Sequence, residues 1–303
     1  MINEMKRKIV YVVSRMIQLC NRLLIMLHLV SHKVIVSVDG GICSQMVAYL
    51  RGRYYAEVGF KVYYDLHWFK VSGKDTDGKY DRPFELQTMY PKLSIPEPSS
   101  FDAWFYRHFM KPLSTLDKMP IRENLKHSLY LNLYPDFPDS DWFVQAVHKY
   151  LALDSVREMS LPYKVDDKAT YCSVHMRRGD MSYVKMEGYE NTIDYFASAM
   201  HYVQRKHNNS VFVLFSDEPA WVREEVLPII KDLDIEVISG NMGHEDLLLC
   251  AHNPIIIASQ GTLGRMAGLL NPKSELIIPP TGDWGAFPIE RYRSVIILHR
   301  EMI

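Results

Sequence analysis

Between residues 171 and 278 short apolar runs alternate with amphipathic stretches at regular spacing, and no other feature of the chain narrows its fold as much. β-Branched and aromatic content predicts strands at 171–176, 211–215, 235–238, 255–259 and 275–278. Helices are predicted between them at 190–207, 219–232, 244–251 and 262–270. Strand and helix in strict alternation specify a parallel sheet covered by crossover helices on both faces.

The first of these strands runs out into Arg177-Arg178-Gly179-Asp180. Ligands of open α/β sheets bind at the carboxyl ends of the strands, and the planar guanidinium fork suits phosphate. With a period of two, His175 and Arg177 project to one side and Arg178 to the other. The expectation is that Arg177 faces an anionic ligand while Asp180 holds Arg178. The alternative is a surface turn with a local Arg–Asp pair, which contributes little. Other predicted strand ends are also polar: Ser216 and Asp217, then Glu245 and Asp246 at a helix start. Ser259-Gln-Gly-Thr262 is a second candidate phosphate nest. Asp246 and Thr262 are ordinary first-turn residues taken singly; together with Arg177 they lie where a doubly wound sheet places a nucleotide. Asp246 is the candidate acceptor for the N1–H and N2–H of guanine, as carboxylates accept from other base edges.

In the amino-terminal half, a strand at 34–38 leads through Asp39-Gly-Gly-Ile-Cys-Ser-Gln-Met46 into a helical pattern reaching Val58. Strand, glycine turn and helix start form a phosphate cradle or a plain tight turn; Ser44 is the expected N-cap. A second strand follows at 61–65. From Trp68 to Lys126 the pattern is irregular and rich in aromatics, which serve either as local core or as the lining of a sugar cleft. A strand at 129–134 and a helix at 142–153 close this half, and the polar, proline-marked stretch 161–168 reads as the linker. The expected divisions are therefore 1–32, 33–163 and 164–303.

Residues 1–32 carry Lys6-Arg-Lys8 and a broken apolar stretch shorter than a bilayer requires. At helical spacing Ser14, Arg15, Gln18, Asn21 and Arg22 share one face. Val12, Met16, Leu19, Leu23, Met26, Leu27 and Val30 share the other. Such a helix either lies on a membrane surface or docks on the protein's own core or a partner subunit. A net charge of −1 gives no general attraction to nucleic acid. The four cysteines are scattered without a C-x-x-C pair or His/Cys cluster, which predicts reduced thiols and no structural zinc.

The ordered set Gly40-Gly-Ile-Cys-Ser-Gln-Met46, His175-Met-Arg-Arg-Gly-Asp180, Phe215-Ser-Asp217 and Ser259-Gln-Gly-Thr262 resembles the bacterial α-1,2-fucosyltransferases of glycosyltransferase family 11. The resemblance runs from about Val34 to Trp284. It implies an α/β fold of two Rossmann-like domains facing a cleft (GT-B-like), the second holding GDP-fucose. It also implies inverting, metal-independent fucosyl transfer to a galactose hydroxyl of a glycan acceptor, in surface polysaccharide (O-antigen) synthesis. No cofactor is implied, and the location is cytoplasmic or peripheral on the inner face of the membrane. By position, Arg177 matches the arginine that contacts the β-phosphate, with His175 beside it in the pocket. Gly40, Gly41 and Gln45 match the turn facing donor sugar and phosphate, and Thr262 matches a Ser/Thr at the strand-to-helix turn. The expected donor contacts also include Ser44, Arg178, Asp180, Ser216, Asp217, Asp246 and Ser259. His175, Asp39 and Asp65 are candidates for the general base. Two positions depart from the pattern: Ser44 stands where the family has Asn, and Ser259–Met266 lacks the family's tryptophans. An inactive nucleotide-sugar binder or a membrane-associated scaffold is the alternative.

Overall fold

The computed structural model describes residues 2–74, 78, 80–110, 128–131, 141–156, 160–179, 192–279, 289 and 293–298. The chain forms two compact units. The first comprises Met1–Lys74, Asp81–Gln87 and Lys92–Pro138; the second comprises Asp75–Tyr80, Thr88–Pro91 and Asp139–Ile303. The division thus falls ahead of the expected 163/164 boundary. Residues 161–168 are tied into the second unit: Tyr163 stacks on Tyr171 at 5.4 Å and its hydroxyl donates to Asn253 Oδ1 at 3.1 Å.

In the first unit α1 (Ile2–Met26) precedes β1 (Lys33–Ser37), α2 (Ile42–Ala56) and β2 (Lys61–Asp65). Three short helices follow, α3 (His67–Val71), α4 (Leu86–Met89), whose last two residues are counted with the second unit, and α5 (Ser100–Phe105), the last passing into a π-helical turn at Tyr106–Met110. β3 (Leu129–Leu131) completes a parallel sheet in the order β2-β1-β3. The Val-Ile-Val run makes β1 the buried central strand. Of the strand expected at 129–134, residues 132–134 lie outside the described residues.

The second unit starts with α6 (Asp141–Tyr150), β4 (Thr170–Met176), α7 (Ile193–Lys206) and β5 (Ser210–Ser216). It continues through α8 (Pro219–Trp221), β6 (Asp234–Ile238), α9 (Gly243–His252), β7 (Ile255–Ala258), α10 (Thr262–Leu270), β8 (Glu275–Ile278) and β9 (Ile296–Ile297). Its six-stranded sheet is parallel throughout, in the order β6-β5-β4-β7-β8-β9. Cys172, Val174 and Met176 of β4 pack with Phe196, Met200 and Val203 of α7 and with Phe212 and Leu214 of β5. The helix expected over 219–232 is short: α8 passes into a π-helical turn, Val222–Val226. Pro228 then denies the ladder an N–H. Two parallel-sheet α/β units, preceded in the chain by an amphipathic helix, agree with the expected α/β class.

Among the described residues no helix is long and apolar enough to cross a membrane. All four cysteines are free thiols; Cys43, Cys172 and Cys250 are buried and Cys20 is exposed.

Candidate functional site

In the second unit the chain moves outward from β4 through β5 to β6, and from β7 through β8 to β9 on the other side. β4 and β7 are neighbours, so the crevice beyond their carboxyl ends is the topological switch point, where open α/β sheets bind ligands. Arg177 follows β4 and Ser259 follows β7, so both stand at that point.

Register decides Arg177's neighbour. Met176 pairs with Ser216, which places Asp217 beside Arg177, one residue beyond both strands. Arg177 Nη1 lies 3.0 Å from Asp217 Oδ2, and both side chains keep some exposure, 20% and 17%. Asp217 Oδ1 accepts the backbone N–H groups of Arg178 at 2.9 Å and Gly179 at 3.2 Å. One carboxylate therefore shapes the turn and orients the guanidinium. The ion pair with Asp217 was not among the expectations. Arg178 lies with its guanidinium 4.3 Å over the Trp221 ring; Asp180, its expected partner, lies outside the described residues. Asp217 and Ser216 brace the turn where ligand contacts were expected: Ser216 Oγ donates to the Met176 carbonyl at 2.9 Å and accepts from the Glu218 N–H at 3.1 Å.

The other wall is the start of α10. Gly261 is its N-cap and brings no capping side chain to the first-turn N–H groups, among them that of half-buried Thr262. A Cβ on Gly264 would lie 2.8 Å from Ala258 Cβ and 3.4 Å from His175 Cβ, so only glycine lets the helix start sit this close to β7 and β4. A Cβ on Gly261 would reach Arg177 Cγ at 3.4 Å, so the helix start borders the aliphatic stem of Arg177. A helix amino terminus beside the stem of an arginine whose guanidinium is held by Asp217 adds positive potential to this strand end.

His175 is buried, and its Nδ1 lies 3.4 Å from Ser259 Oγ, which also accepts the Gly261 N–H at 3.3 Å. Burial, with Arg177 adding to it, lowers the imidazole pKa from 6.5 to about 3. The ring is neutral at physiological pH and a feeble base. Arg265, missed from the sequence, is fully buried on α10 with Nε 3.5 Å from the Ser259 carbonyl. An arginine within the apolar run of this helix was the signal available. Asp246 stands on the first turn of α9, its Oδ1 accepting from Asn241 Nδ2 at 3.0 Å, while Glu245 caps the Met242 N–H at 2.7 Å.

In the first unit the switch point is at β1, between β2 and β3. Gly40 has φ +68°, which side-chain-bearing residues adopt at a cost. Gly41 is the N-cap of α2; Ser44, expected in that role, lies within the helix and packs over Gly40. Gln45 is fully buried, and its amide is saturated by backbone. Nε2 donates to the carbonyls of Gly40 at 3.0 Å and Pro83 at 2.9 Å. Oε1 accepts from Glu85 N at 2.8 Å and Leu86 N at 3.0 Å. The expectation that Gln45 faces a donor sugar fails for this reason. Arg82, also missed, lies over the turn, with Nη1 4.0 Å from where a Gly41 Cβ would be.

The remaining base candidates differ in environment. Asp65 is buried and its Oδ2 is engaged by Tyr130 OH at 2.9 Å and Arg107 Nε at 2.8 Å. Asp39, half-buried beyond β1, has its pKa raised by burial, with Arg51 opposing. Among the described residues no cluster of three or more His, Cys, Asp or Glu side chains is arranged to hold a metal ion.

The sequence model of glycosyl transferase family 11 matches residues 97–284, more than half of the chain. An alpha-1,2-colitosyltransferase of Escherichia coli is 31% identical over 115 residues, 36% of this chain and 39% of that protein. The match thus spans about two fifths of that relative. Solved structures include POFUT1 with GDP, at 10% identity and a TM-score of 0.47 over 88% of this chain and 98% of that one. E. coli ADP-heptose lps heptosyltransferase II gives 12% and 0.42 over 88% and 90%.

Proposed function

Because the chain belongs to glycosyl transferase family 11 and is a glycosyltransferase, we propose that it moves fucose from GDP-fucose to a galactose hydroxyl, in α-1,2 linkage and with inversion. The observation that carries this reading is Arg177 at the second unit's switch point, bordered by the start of α10 and steered by Asp217. As the sugar–oxygen bond breaks, negative charge grows on the leaving β-phosphate. A fixed guanidinium and helix-start amides stabilise that charge more than the ground state. In this reading they fill the role of a divalent cation, so transfer needs no metal. Thr262 supplies one of the helix-start amides, and Asp246 remains the assignment for the guanine edge.

Of the three base candidates, Asp39 fits best: His175 is held neutral and only feebly basic, and Asp65 is tied to Arg107. A carboxylate with a raised pKa retains a proton into milder acid than usual. The rate should therefore fall on the acid side, with a midpoint above the ordinary 3.8. This reading puts the enzyme in surface polysaccharide synthesis, in the cytoplasm at the inner face of the membrane. The E. coli relative's name supports a second reading, with colitose replacing fucose as the transferred sugar.

The test is GDP release from GDP-fucose, with and without a galactoside and with EDTA throughout. Galactoside-dependent release that survives EDTA agrees with the proposal. No release with any galactoside supports the inactive-binder alternative, and release only with the corresponding colitose donor supports the second reading.

A further inference from the structure

Helix α1 is packed opposite to the arrangement expected of a helix in water. Its polar face turns inward: Ser14 and Gln18 are each only 8% exposed, and Asn21 Oδ1 accepts the Ser128 N–H at 2.9 Å. Ile17 joins this face against the cluster of Ile35, Tyr106, Met110 and Tyr130. The apolar face turns outward, with Ile9, Val12, Met16, Leu19, Leu23 and Leu27 each between 52% and 65% exposed. At 3.6 residues per turn these side chains form one continuous stripe. Arg15 and Arg22, both exposed, flank it. The helix thus docks on the protein's own core, as one alternative had it, but through its inward-turned face, and leaves the apolar stripe outward.

We propose that this face is a lipid-docking surface, which seats the first unit on an anionic bilayer with α1 in the plane of the interface. Charge selects this occupant. The first 32 residues carry five cations, Lys6, Arg7, Lys8, Arg15 and Arg22, against one anion, Glu4. A second copy would add the same net positive charge to this one, whereas anionic headgroups complement it. Basic side chains at the margin of an apolar stripe can keep their charges among headgroups while their stems lie along the acyl boundary. The helix is amphipathic and does not qualify as a membrane span, so it lies on the surface. The inference gives a physical basis to the membrane location proposed above and is independent of donor and acceptor.

The test uses the full chain and vesicles of phosphatidylcholine with or without phosphatidylglycerol, followed by co-sedimentation. Binding is expected to the phosphatidylglycerol vesicles, to weaken several-fold in high salt, and to fall at least tenfold in the Leu19→Glu/Leu23→Glu double variant. Both leucines are exposed, so the variant's melting temperature should match wild type. The Arg177→Ala variant should bind vesicles as wild type does, which separates this inference from the catalytic reading. Absence of binding to phosphatidylglycerol vesicles would overturn the proposal, as would equal binding by the double variant. Loss in that variant of a dimer seen by light scattering, without vesicle binding in the wild type, would assign the face to a second copy.

Discussion

Two glycine-marked helix starts, one in each unit, have different uses. In the first unit the conspicuous polar residue, Gln45, is consumed by backbone: it fastens the Gly40 turn to residues 83–86. In the second, the conspicuous polar residue is Arg177, whose ion pair leaves it partly exposed at a switch point beside an uncapped helix start. A motif's polar side chains can therefore be scaffold in one turn and ligand-facing in another, and the hydrogen-bond partners tell the two apart.

Arg177→Ala gives the largest expected effect. If that turn is the donor site, kcat should fall on the order of 10² to 10³, about 3 to 4 kcal/mol of lost transition-state stabilisation. Melting should be nearly unchanged, and near-normal kcat would remove the distinction between the turns. Gln45→Ala should act through stability, lowering the unfolding free energy by about 2 to 4 kcal/mol by orphaning buried backbone groups. Urea unfolding measures that loss, while GDP affinity should stay close to wild type. Weakened GDP binding without a stability loss would make the first turn a ligand site.

His175 sharpens the comparison through pH. Unfolded, its imidazole takes up a proton near 6.5; folded, only near 3. Between those values the unfolded chain binds more protons, so stability is intact above 6.5 and is lost as pH falls toward 3. In His175→Asn the unfolding free energy should decline less steeply from pH 7 to 5. The smallest effect belongs to Arg178→Ala. An exposed cation–π contact with Trp221 is worth about 0.5 to 1 kcal/mol, and kcat should change less than threefold; a loss like that of Arg177→Ala would exchange the roles of the two arginines.

How far the sequence can be read depends on the range of the interactions. β-Branched runs are local, so every strand of the second sheet except β9 was legible, and so was the position of Arg177 beyond β4. Gln45 was misread because three of its four partners lie 38 to 41 residues away along the chain. The pairing of Asp217 with Arg177 was not legible because it is chosen by the register between β4 and β5, which single-strand patterns do not carry. Helix 219–232 was overdrawn by giving periodicity more weight than Pro228. For α1 the apolar stripe is legible, but Arg15 and Arg22 of the polar face stay exposed beside it, and periodicity does not say which face turns inward; Asn21 and Ser128 do.

The central claim is that Arg177 and the start of α10 together hold the diphosphate of a nucleotide sugar. Calorimetric titration of GDP into the wild-type chain and into Arg177→Ala, both in EDTA, tests it most directly. The account predicts saturable binding by wild type and affinity weaker by on the order of a hundredfold in the variant. Equal affinities in the two proteins, or no binding by wild type until a metal is restored, would contradict it.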